Sequence, residues 1–235
     1  MKKILFVCSA LLMIGFSAKA QVQFGLRAGG NMSSLLAKEE GDYERLKFLP
    51  GFHVGGTADI ALGNSFALQP GLIFSTKGYK VDEDAVSFDL YNDQTVKLSA
   101  YYLELPVNVI FKPQLGKGNL LLGVGPYIAY GLGGKWKATS DGISVKGDLE
   151  FVNDFVDTNT NTDSSAFNNS PTLPYGKPFD FGGNLLIGYQ FTKNCYIQLN
   201  GQLGLLDIEP SYNGISDERT SMKNVQFGLS VGYKF

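Results

Sequence analysis

Over the last eleven residues every odd position is apolar (Val225, Phe227, Leu229, Val231, Tyr233 and Phe235), and every even position is polar or small. Successive side chains of a strand point to opposite faces, so this alternation predicts a β-strand with one apolar face. Its length matches the roughly 9 to 11 residues a tilted strand needs to cross a bilayer. Seven upstream segments carry the same pattern. Their apolar rows run from Val22 to Ala28, Phe52 to Ile60, Phe66 to Phe74, Leu103 to Phe111, Leu120 to Leu132, Leu185 to Phe191 and Ile197 to Leu205. Eight strands are therefore expected.

The second row decides which face meets which medium. It is mostly glycine, serine, asparagine and glutamine, with few charges. Small uncharged residues suit a narrow, crowded interior better than an open aqueous face. The apolar row is bulky and carries aromatics near its ends, such as Phe24, Phe66, Phe111, Tyr130, Phe191, Tyr233 and Phe235. A lipid-facing apolar band with aromatic girdles has this composition. An open sheet edge has no hydrogen-bond partner in hydrocarbon, so the sheet is expected to close.

The connections sort by length. Those around Gly63 and Asn64, Pro113 to Gly118, and Thr192 to Asn194 are short, whereas residues 31–50, 79–96, 135–178 and 207–222 form long polar connections. Strict alternation of short and long is the asymmetry of periplasmic turns and extracellular loops in outer-membrane barrels. The expected fold is all-β: an eight-stranded antiparallel up-and-down transmembrane β-barrel with short periplasmic turns and long extracellular loops.

The N-terminus points to the same compartment. Lys2 and Lys3 precede an apolar run from Ile4 to Phe16, and Ala18-Lys19-Ala20 is a small-x-small cleavage site. This pattern predicts a signal peptide over 1–20, cleaved after Ala20, and a mature domain over 21–235. Cys8 lacks the small residues of a lipoprotein site before it, and Cys195 is the single mature cysteine, so no internal disulfide can form. The net charge of −2 gives no electrostatic case for nucleic acid.

The segments Tyr102-Leu103-Glu104-Leu105-Pro106-Val107-Asn108-Val109 and Gly123-Val124-Gly125-Pro126-Tyr127-Ile128-Ala129-Tyr130-Gly131 resemble paired-strand motifs of the PorT-like outer-membrane β-barrel domain. Gln69-Pro70-Gly71-Leu72 through Lys77-Gly78 resembles that domain's third strand. The resemblance spans nearly the whole mature chain. It implies the barrel and a Gram-negative outer membrane, and it carries no catalytic residues over.

Among chemically capable residues, Arg27, Asp59 and Glu104 fall on the interior row, where charges must pair. They are expected to form salt bridges that plug an interior already about filled by side chains, in preference to an ion path. His53, the single histidine, lies on the same row with no serine-centred motif, and a structural role is expected for it. Glycine runs such as Gly123-Val124-Gly125 sit mid-strand and precede no helix that would bind phosphate. Asp157-Thr158-Asn159-Thr160-Asn161-Thr162-Asp163 spaces its oxygens as a calcium loop does, but Thr162 and Asn168 stand where that loop needs glycine and a bidentate glutamate. An exposed polar loop is expected there instead. Phe151, Phe155 and Phe167 in the same connection are candidates for docking onto a partner or the barrel rim.

No catalytic, cofactor-binding or metal-binding residues are expected. The expected role is surface binding or envelope structure carried by the long loops. A narrow pore for small solutes is the alternative, followed by a small lipid-acting enzyme and a soluble lipocalin-like barrel with its apolar row inside. Expected partners are outer-membrane lipids and the barrel-assembly machinery, which reads a terminal strand ending in an aromatic such as Phe235. The expected state is a monomer.

Overall fold

The computed structural model describes residues 22–39, 42–83, 94–140, 143–155, 172–212 and 220–235. Eight long strands dominate: β1 (Val22–Glu39), β2 (Lys47–Ala61), β3 (Phe66–Glu83), β4 (Gln94–Phe111), β5 (Gly118–Ser140), β6 (Phe179–Gln190), β7 (Cys195–Gly204) and β8 (Ser221–Lys234). Each pairs antiparallel with its sequence neighbour, and β8 pairs back onto β1 from Gly25↔Lys234 to Lys38↔Ser221, which closes the ring. Following opposed residues from Phe24 through all eight strands leads back to Ser34 on the same strand. That stagger is what tilts the strands of a closed barrel. All eight expected strands and all three short turns are present. In the β4–β5 turn, Gly116 takes a φ of 62°, which glycine adopts without strain.

The apolar rows face outward, with Phe24, Leu105, Val124, Leu185, Leu199 and Val231 among the exposed side chains. Stacked aromatics mark both ends of this band. Phe66–Phe111 and Tyr233–Phe235 lie at the short-turn end, and Tyr130–Phe179 and Phe74–Tyr101 lie towards the long-loop end. The inner row is small because neighbouring strands leave no room for more. A β-carbon on Gly125 would sit 1.9 Å from the Val107 carbonyl oxygen.

The structure departs from expectation at the long-loop end, where the strands run on into the regions expected to be connections. β1 extends through Glu39 and β3 through Glu83, while β4 starts at Gln94 and β5 reaches Ser140. The reason is an inversion of the hydrophobic phase. On β4 the odd residues Leu103 to Phe111 are apolar and outward, but above them the even residues Leu98, Ala100 and Tyr102 are apolar and inward, with Lys97 outward. On β5 a β-bulge makes the exchange instead: Tyr101 opposes Gly133 and Tyr102 opposes Gly131, so Leu132 is the extra residue. The even positions thereby pass from outward Tyr130 and Leu132 to inward Trp136, flanked by outward Lys135 and Lys137. Above the lipid the outside must be polar and the inside becomes an ordinary core.

Further segments build the rim, and Asp42–Arg45 pairs antiparallel with the end of β1. Ile143–Phe151 pairs antiparallel with the end of β5, and Leu173–Gly176 pairs in parallel with that segment. The N-terminal segment 1–20 and the acidic, threonine-rich stretch Asp157 to Asp163 lie outside the described residues, as does Phe167.

Candidate functional site

Two ion networks and an aromatic cluster fill the lumen. At the short-turn end Asp59 of β2 accepts from Lys234 of β8 at 2.5 Å and from Lys112, just beyond β4, at 2.6 Å. Gln69 Nε2 donates to the other carboxylate oxygen at 2.6 Å, and Lys234 also donates to Gln190 Oε1 at 3.2 Å. Lys234 stands 5.1 Å from the centre of the Tyr196 ring. Tyr196 packs with Ile110, Leu121 and Leu186 into an apolar layer across the barrel.

The second network lies deeper. Lys77 of β3 pairs with Glu104 of β4 at 3.0 Å and with Asp180 of β6 at 3.4 Å, and all three side chains are almost fully buried. Tyr127 and Asn224 donate to Asp180 Oδ2 at 3.1 and 2.9 Å, and Gln202 donates to Glu104 Oε2 at 3.0 Å. The Lys77 ammonium also sits 4.5 Å from the Tyr127 ring centre and 5.3 Å from that of Tyr102. Three strands, β4, β5 and β6, thus hand this one cation two carboxylates and two π faces, which offsets its desolvation.

Between the networks Arg27, His53, Glu104, Gln202 and Gln226 line a void of about 10 Å³, no more than one water molecule needs. His53 Nε2 shares a hydrogen bond of 2.7 Å with Ser230 Oγ, and Nδ1 has no partner. A nucleophilic serine needs its histidine oriented by a third group and needs access for substrate. Here both side chains are buried and no such group holds Nδ1.

Above the second network the lumen becomes apolar. Tyr102 and Tyr127 pack with Leu35, Leu98, Trp136, Leu149 and Ile208, and Phe151 and Tyr175 from the rim segments close over them. The Phe151 ring lies edge-on to Tyr102 at 5.2 Å and to Tyr175 at 5.4 Å. It covers Gly131 so closely that a β-carbon there would lie 2.3 Å from the ring. Phe151 therefore docks on the barrel itself. Burial pushes the Tyr175 phenol well above its ordinary range, so no charge enters this lid.

Arg27, His53, Asp59 and Glu104 are inside, as alternation places them, and Asp59 and Glu104 form the expected salt bridges. Arg27 does not, since among the described residues no carboxylate lies within ion-pair distance of it and its Nε and Nη1 have no hydrogen-bond partner. The partners Lys77, Asp180 and Lys234 are not among the charges the sequence pattern marks. Lys77 shares the parity of Gln69 and Ser75, and Asp180 that of Asn184, so extending the rows would have found both. Among the described residues no group of His, Cys, Asp and Glu is placed to hold a metal ion, and no helix is long and apolar enough to cross a membrane.

A family model described as an outer membrane protein beta-barrel domain matches residues 16–210. No curated protein matches the sequence. Similar solved structures include Ail, the attachment invasion locus protein of Yersinia pestis, at 15% identity and a TM-score of 0.41, covering 91% of this chain and 98% of that one. Neisserial surface protein A is similar at 11% identity and 0.41, covering 90% and 97%. The outer membrane protein OprG of Pseudomonas aeruginosa is similar at 12% identity and 0.40, covering 92% and 97%.

Proposed function

The chain belongs to the outer membrane protein beta-barrel domain family, and from that premise we propose that it is a sealed barrel whose working surface is its long-loop rim. The barrel anchors and the rim binds or supports the envelope; neither conduction nor catalysis is its task. The observation that carries this reading is the filled lumen. A solute entering from the short turns finds an open cleft of about 500 Å³ beside Asp59 and Lys112. Beyond it stand the apolar layer of Tyr196, Ile110, Leu121 and Leu186, then the Lys77 network, then the Phe151 and Tyr175 lid. Each layer adds a barrier that a hydrated ion crosses only by displacing packed or paired side chains.

The same proposal includes export by a signal peptide cleaved after Ala20 and a finer place among the PorT-like barrels of Gram-negative bacteria. That finer place rests on the motifs around Tyr102 to Val109 and Gly123 to Gly131. The buried His53–Ser230 pair is assigned a structural role, because neither group is reachable by a lipid or peptide substrate. The test is planar-bilayer recording of the folded, full-length protein. No discrete conductance steps are expected, whereas reproducible steps at nanomolar protein would put the pore reading in its place.

A further inference from the structure

Where β3, β4, β5 and the rim strand Ile143–Phe151 leave the apolar band, their registers bring lysines face to face. Lys80 is opposed to Lys97, Lys97 to Lys137, and Lys137 to Lys146. Lys47 of β2 stands opposite Lys80 in the same register. Directly opposed residues share a face and sit about 5 Å apart, and like charges so placed repel. Lys97, Lys137 and Lys146 are exposed, and among the described residues none of the three has a carboxylate within ion-pair distance. The contrast lies one outward position nearer the apolar band, where Lys135 is opposed to Asp148 and pairs with it at 3.7 Å. One outward position further from the band, Thr95, Thr139 and Ser144 oppose one another as a row of hydroxyls, with Thr139 Oγ1 and Ser144 Oγ 3.0 Å apart.

We propose that this rung of lysines, backed by the hydroxyl row, binds the phosphate groups of lipid headgroups in the leaflet at the long-loop end. Height selects that ligand. Lys97 lies two outward positions past Tyr101, which stacks on Phe74 in the aromatic girdle. Four residues of a strand tilted about 40° climb roughly 10 Å. The polar layer of a bilayer adds about 5 to 8 Å beyond the hydrocarbon on each side. Lysine stems lie along apolar surface and carry their ammonium several ångströms, so they reach back into that layer. A repulsive cationic row at phosphate height, with donors beside it, is complementary to a row of headgroup phosphates. This inference goes beyond the sealed-rim reading and stands whether or not the loops bind a partner.

The test uses the full-length protein folded in nanodiscs of phosphatidylcholine that contain a diphosphorylated glycolipid (lipid A) or the same glycolipid stripped of phosphate. Retention of glycolipid is read by native mass spectrometry after detergent release. The wild type should retain the phosphorylated form and not the stripped one. Each lysine near a charged membrane surface strengthens binding about fivefold, so Lys97→Gln/Lys137→Gln/Lys146→Gln should lower affinity on the order of a hundredfold. The corresponding arginine triple should keep binding. All three positions are exposed and mutually repulsive, so the glutamine triple should fold, as shown by its heat-dependent gel mobility. A salt titration of the wild type gives a second reading, with retention falling as ionic strength rises. Equal retention by the glutamine triple, retention of the stripped glycolipid, or salt-independent retention would each overturn the proposal. So would displacement of the lipid by millimolar inorganic phosphate, or capture of a soluble sulfated polysaccharide in place of lipid.

Discussion

Lys77 offers the sharpest perturbation of the sealed lumen. Its ammonium serves Glu104 at 3.0 Å and Asp180 at 3.4 Å, with about 1% of each side chain exposed. Lys77→Met keeps the stem and removes the charge, leaving two buried carboxylates facing one vacated position. Breaking a buried pair by removing one partner costs about 3 to 5 kcal/mol. Here Asp180 keeps donors in Tyr127 and Asn224, and Glu104 keeps Gln202. The lower end, about 3 kcal/mol, is therefore expected. Replacing the whole cluster with Lys77→Met, Glu104→Gln and Asp180→Asn removes every stranded charge, and stability should return to within about 1 kcal/mol of the wild type. The assay is urea unfolding in lipid vesicles, followed by the folded band on unboiled gels. If the single variant loses less than about 1 kcal/mol, water reaches the cluster and the lumen is not sealed.

The other perturbations follow from the two ends of the lumen. Asp59→Asn leaves Lys112 and Lys234 facing each other; since Lys112 is 19% exposed, the loss should be about 2 kcal/mol by the same unfolding assay, and adding Lys234→Met should recover part of it. No recovery would mean that the two ammoniums do not share the Asp59 site. Phe151→Ala uncovers Tyr102 and Tyr175; as Phe151 is only partly buried it should cost about 2 kcal/mol and shift the emission of Trp136, the single tryptophan, to the red. Unchanged emission would show that the lid does not shield the upper core. Phe235 donates its backbone N–H to Phe24 at 2.8 Å, next to the β1–β8 seam. Deleting it should lower the assembled fraction in the outer membrane, and unaltered assembly would remove any role for this residue as an assembly signal.

The barrel was legible where lipid imposes one rule on eight segments: apolar outward, small inward. From Val225 to Phe235 or Leu103 to Phe111 that rule writes itself into parity. It stopped being legible at Tyr102, where the outside turns polar and the apolar residues change parity, and at Leu132, where a bulge turns the even positions inward. A single-phase reading therefore ends strands that continue. The interior charges were legible one by one, since Arg27, Asp59 and Glu104 share the inner parity. Their pairing was not. Asp59 meets Lys234 across 175 positions and Lys77 meets Asp180 across 103, contacts set by ring closure and stagger and not by local spacing. The lysine rung was invisible for the same reason, as each lysine looks like an ordinary loop charge until the registers align.

The apolar face of the barrel is outward and in lipid. Cell fractionation with gel migration, boiled and unboiled, tests it most directly, because closed membrane barrels resist detergent until heated. The expected result is a band in the outer-membrane fraction whose mobility shifts on boiling. A soluble periplasmic protein with no shift would contradict it, and would place the apolar row inside.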